Sequence, residues 1–99
     1  MNTKQFIIWL SNEKKMKPLV TSARASNCKK VEKVYGDLDS HYDLDKGVAL
    51  LTLLKYSKED EREKRHAKNK ITIEGNIYNG LATLRQAIRQ YIEFKNIEN

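Results

Sequence analysis

Ile77, Leu81, Leu84, Ile88 and Tyr91 recur at helical spacing through the last quarter of the chain, with Ala87 and Phe94 on their flank. Asn79, Gln86, Arg89, Gln90 and Glu93 fall on the other side. The pattern predicts an amphipathic helix from near Asn76 to about Lys95. An apolar stripe of that length has to be covered by other elements. The remaining periodic segments also read as helices, so the predicted fold class is all-α. The expected architecture is a small four- to five-helix bundle, residues 1–99 forming one domain with a charged loop or extended insertion over 58–75.

The first helix is predicted from about Thr3 to Lys14, capped by Asn2 or Thr3, with Phe6, Trp9, Leu10 and Ile7 turned inward. Trp9 reads as core packing rather than as a recognition aromatic. Pro18 ends any helix before it. Thr21 is the expected cap of the second helix, which puts Arg24, Cys28, Val31 and Tyr35 on one face and stops at Gly36. In GDLDSHYDLD, Asp39 is expected to cap a short turn, and Asp43 or Asp45 the next helix. The alternating acids fail as a calcium loop, because Tyr42 stands where glycine is needed and Val48 where a bidentate Glu belongs.

Lys46–Tyr56 is the most apolar piece and is expected at the centre of the core. Ser57 and Asp60 resemble a capping box. Lys58–Lys70 has only Ala67 as an apolar residue, the composition of a frayed solvated helix or a loop. Ile71 and Ile73 are read as tacking that loop to the core, in preference to a minor strand.

Apolar residues make up 39% of the chain and charged residues 32%, a lean core with a wet surface. The net charge of +6 favours anionic partners, nucleic acid first. It is concentrated: residues 1–33 hold eight Lys/Arg against two Asp/Glu, whereas 71–99 balance at three each. One cysteine, Cys28, excludes an internal disulfide, and its place in an apolar stripe makes it a small hydrophobe. The apolar run Phe6–Leu10 is too short for a signal sequence or a membrane span, so a cytoplasmic protein with no membrane partner is expected.

No catalytic constellation is visible. His41 and His66 lie in separate polar segments without a nucleophile beside them, the four glycines are isolated, and one cysteine does not supply a zinc site. The chain is therefore expected to be non-enzymatic, without cofactor or metal. Two surfaces remain for binding. One is the polar arc of the second helix, Ser22, Ser26, Lys29, Lys30 and Lys33, with Asn27 as a further groove contact and Lys14, Lys15 and Lys17 before it. The other is the charged loop with Arg62, Lys64, Arg65, Lys68 and Lys70. For both, a merely solvated face is the competing account.

The runs FIIWL at Phe6–Leu10, YGDLDSHYD at Tyr35–Asp43 after Thr21, LLTLLKYSKEDER at Leu50–Arg62 and GNIYNGLATLRQAIRQYIEF at Gly75–Phe94 cover most of the chain. Together they resemble the SAM-like, N-terminal core-binding domain of phage integrases and tyrosine recombinases, a module also found ahead of nuclease domains in restriction-type proteins. The resemblance implies a helical bundle that grips double-stranded DNA for a separate catalytic domain. It does not extend to catalysis: RHAK at Arg65–Lys68 lacks the second arginine of the recombinase His-x-x-Arg motif, and no nucleophile segment follows. The expected function is a non-catalytic DNA-binding module. The alternative is a protein–protein interaction module, or a small phage or mobile-element regulator that binds an acidic host protein.

Overall fold

The computed structural model describes residues 1–67 and 69–98. Among these residues there are six helical segments and no strand: α1 (Thr3–Glu13), α2 (Pro18–Tyr35), α3 (Leu38–Asp45), α4 (Val48–Leu53), α5 (Lys58–Arg62) and α6 (Ile77–Glu98). The all-α expectation holds, with α5 hardly more than one turn. The Asn2 side chain caps α1 by accepting from the Gln5 amide.

α6 is the axis of the bundle, and α1 and α2 both pack on it. Phe6, Trp9, Tyr91 and Phe94 form the aromatic centre. Phe6 meets Tyr91 edge-on at 5.1 Å between ring centroids, and Trp9 meets Phe94 at 5.7 Å. Leu81, Leu84, Ala87, Ile88, Tyr91 and Phe94 are buried as their spacing requires, but Ile77 at the mouth of α6 is exposed. Trp9 is a core residue.

Three boundaries differ from the sequence reading. α2 starts at Pro18, not after Thr21. A proline at the first helical position loses only an amide that would lack an intrahelical partner anyway, and its ring presets φ for the helix. Thr21 is thus inside the helix and buried, its hydroxyl donating to the Pro18 carbonyl at 3.0 Å. The buried face becomes Thr21, Ala25, Cys28 and Val31, with Arg24 and Tyr35 half-buried at its edges. Gly36 ends the helix at φ +93, a conformation that side chains disfavour.

Residues 38–45 form a helix rather than a short turn, and its cap is Asp37, not Asp39. The Asp37 carboxylate accepts from the Ser40 amide at 3.1 Å. Asp39 lies in the first turn and reaches α6 instead, where it accepts from the Tyr91 hydroxyl at 2.6 Å.

The long apolar helix expected over Lys46–Tyr56 is only Val48–Leu53, and it lies at the side of the bundle. Lys46 and Gly47 are both left-handed, which breaks the chain between α3 and α4. Gly47 is also needed for space, because a Cβ there would stand 2.7 Å from Ile92 Cδ1 of α6. Leu50 and Leu54 are buried, but Val48 is 62% exposed. The Asp45 carboxylate bridges the break by accepting from the Gly47 and Ala49 amides.

The charged segment is ordered locally. Ser57 and Asp60 form a reciprocal capping box. The Tyr56 hydroxyl donates to the Arg65 carbonyl at 2.7 Å, and the Arg65 guanidinium meets Asp60 at 2.9 Å. The Ser57 amide, and after it Arg65, hold the Asp60 carboxyl below its ordinary range. Beyond this segment Ile71 is buried in the core and Ile73 packs over Gly80 of α6, so the extended piece does tack the loop down. No helix among the described residues is long and apolar enough to cross a membrane.

Candidate functional site

Ser22, Ser26, Lys29, Lys30 and Lys33 occupy one exposed arc of α2, opposite its buried face. Their spacing of four, three, one and three residues keeps them within about a third of the helix circumference. The charge of this arc is not offset from within the helix. The only acid of α2, Glu32, is turned the other way: it accepts from the Met1 ammonium at 3.2 Å and from the Leu38 amide at 2.9 Å. Among the described residues, no carboxylate forms an ion pair with Lys29, Lys30 or Lys33.

Lys30 and Lys33 also form one wall of a groove of about 610 Å³, together with Asn27 and Val34. The facing wall is the extended segment Ile71–Glu74, and Thr83 of α6 lies in the floor. The groove exists because Gly80 lets Ile73 come down onto α6: a Cβ at Gly80 would lie 2.5 Å from Ile73 Cγ2. It offers cationic donors from α2, the half-buried amide side chain of Asn27 and the hydroxyls of Thr72 and Thr83. Glu74 is its one acid.

The other sequence-derived candidates are spread more widely. Lys17 immediately precedes α2 and Lys33 is near its far end, about 24 Å away at the rise of an α-helix. Lys15 is exposed in the connection at φ +54. Lys14 is engaged elsewhere, with Glu93 at 2.6 Å and over the Trp9 ring at 5.5 Å. Arg62 closes α5, and Arg65 is held by Asp60 beside a separate hollow that includes Lys64 and His66. The structure does not bring these two arginines into the α2 groove. Lys68 lies outside the described residues. Of the two histidines, His41 bonds through Nε2 with the Tyr35 carbonyl at 2.7 Å, a link between α2 and α3.

Sequence reasoning missed a second basic hollow, of about 500 Å³, on another flank of α6. Lys55, Lys58, Arg85 and Arg89 line it. Arg85 and Arg89 do share a helix face at i, i+4, but nothing in the spacing announces that Lys55 and Lys58 join them at one hollow.

Comparison of the chain with protein-family models, with curated proteins and with solved structures finds no match.

Proposed function

We propose that this protein is a non-catalytic module that binds double-stranded DNA through the exposed arc of α2. Lys29, Lys30 and Lys33 contact backbone phosphates, Ser22, Ser26 and Asn27 approach the groove, and Lys15 and Lys17 extend the phosphate contacts along the helix. The observation that carries this reading is the acid-free arc: Glu32 is withdrawn onto the Met1 ammonium, so three lysines stand together without an acidic partner on their helix. Small residues at Ser22, Ala23 and Ser26 allow a duplex close approach. The separate catalytic or host protein that such a module serves is part of the same proposal.

Binding of this kind releases counterions, so three to five phosphate contacts give a slope of log affinity against log salt of about −3 to −4.5. Electrophoretic shifts with random duplex and single strand at two salt concentrations test it. Lys29→Ala with Lys30→Ala is expected to weaken duplex binding for all sequences alike and to reduce the slope by about 2. A salt-insensitive result, or none of the expected loss in the double variant, ends the proposal.

A second reading is a protein-interaction module: the same unpaired lysines suit an acidic partner, and Leu19, 87% exposed near the start of the helix, would add an apolar contact beside them. Under that reading Leu19→Ser abolishes partner capture and leaves the duplex shift unchanged.

A further inference from the structure

The second basic hollow is assembled from three parts of the chain: α4 with the connection that follows it, the first residue of α5, and the stretch of α6 from Tyr78 to Arg89. Lys55 and Lys58 come to it from the connection after α4 and the start of α5, Arg85 and Arg89 from α6. No carboxylate lines it, and none of the four cations takes part in an ion pair among the described residues. Arg85 is already oriented, because Nη1 donates to the carbonyl of buried Leu54 at 3.0 Å. That bond spends one of five guanidinium N–H donors and leaves the rest for a ligand. Beside the cations the lining holds Thr52 and Ser57 and, as apolar and aromatic surface, Val48, 62% exposed, and the half-buried ring of Tyr78.

Four like charges around one concavity repel one another, and an anion carrying several charges relieves that repulsion. A fixed guanidinium with lysines lining the same hollow suits clustered phosphate oxygens, Arg as a fork and Lys as point charges. The exposed Val48 and the half-buried ring of Tyr78 suit a flat, partly apolar group attached to those phosphates. The volume falls within the range of small-molecule sites. We infer that this cleft binds a nucleoside di- or triphosphate, its phosphates among Lys55, Lys58, Arg85 and Arg89 and its base against Tyr78 and Val48. The site is separate from the α2 arc and does not depend on the DNA-binding proposal.

Phosphates of this kind come either from a free nucleotide or from a nucleic-acid backbone, and the test separates the two. Isothermal titration with ADP, pyrophosphate and adenosine at low salt is expected to give saturable one-to-one binding of ADP. Pyrophosphate should bind more weakly and adenosine hardly at all. Lys55→Gln with Arg89→Gln changes two exposed side chains and keeps the Arg85–Leu54 bond. It should weaken ADP binding at least tenfold while the melting temperature of the free protein stays within a few degrees. Lys29→Gln with Lys30→Gln should leave ADP binding unchanged. Absence of saturable ADP binding overturns the inference, as does equal affinity in the cleft variant. Pyrophosphate binding as tightly as ADP removes the base from the assignment. Displacement of ADP by a short duplex, together with loss of duplex binding in the cleft variant, transfers the cleft to the nucleic-acid backbone.

Discussion

The Tyr91 hydroxyl donates to an Asp39 carboxylate oxygen at 2.6 Å, and the same oxygen of Tyr91 accepts from the Asn2 amide at 2.9 Å. One phenol therefore ties α6 to α3 and to the start of α1, at the end of the bundle where the Met1 ammonium also gathers Glu32, Asp37 and Asp39. Tyr91→Phe keeps the ring in the aromatic centre and removes only the hydroxyl. It leaves the Asn2 amide unpaired and Asp39 short of a donor, a loss of about 2 kcal/mol for a bond with a charged acceptor. Urea unfolding followed through the fluorescence of buried Trp9 measures it.

The same cluster sets a pH window. Burial works against the charge on the Met1 ammonium, but hydrogen bonds to Asp37 and Glu32 and the charge of Asp39 outweigh it, raising its pKa from 8.0 to about 10. Folding thus favours the charged form, so this contribution is complete below pH 8 and is lost as pH rises through 10. The hydrogen bond from that ammonium, followed by the Ser40 amide, brings the Asp37 carboxyl down from 3.8 to about 2. Its contribution is complete above pH 4 and is lost as pH falls toward 2. Thermal melts should therefore show a plateau between about pH 4 and 8. Acetylating the Met1 amine should remove this group's share of the decline above pH 8.

Gly80 inverts the usual rule for a helix interior. Replacing glycine by alanine there ordinarily stabilises by about 1 kcal/mol. Here the new methyl would meet Ile73 Cγ2 at 2.5 Å, on a branched side chain whose backbone forms a wall of the groove. Gly80→Ala is expected to destabilise by roughly 1 kcal/mol or more. In an Ile73→Ala background the same substitution should stabilise, and the double-mutant cycle reports the difference.

Cys28 is expected to be inert in the folded protein. It is fully buried, its thiol lies 3.4 Å from the Ala87 carbonyl, and burial, followed by the charge of Glu32, pushes its pKa up to about 12. Labelling by a thiol reagent should track global unfolding, rising with urea in parallel with the Trp9 signal. Fast labelling of the native protein would contradict this.

Much of the scaffold could be read from one dimension. The stripe Leu81–Leu84–Ile88–Tyr91 and the trio Phe6, Trp9 and Leu10 are periodic apolar patterns, and periodicity is a local property that helix geometry converts directly into burial. The exposed arc of α2 followed by the same reasoning, as did the capping box at Ser57 and Asp60. Misplaced boundaries had local causes with two competing signals. Thr21 and Asp39 both have cap chemistry, but α2 already begins at Pro18 and Asp37 caps α3, which freed Thr21 for the core and Asp39 for Tyr91.

What the amino-acid sequence determined by itself is the class of the fold, the inward faces of α1 and α6, and the concentration of positive charge in the first third. Tertiary structure alone decided that α4 lies at the side of the bundle, that Glu32 turns away from the lysines of its own helix, and that Lys55 and Lys58 share a hollow with Arg85 and Arg89. The physical reason is range. Helical periodicity and capping act over a few residues, whereas an ion pair with Met1 or a cleft shared by α4, α5 and α6 depends on where distant segments come to rest.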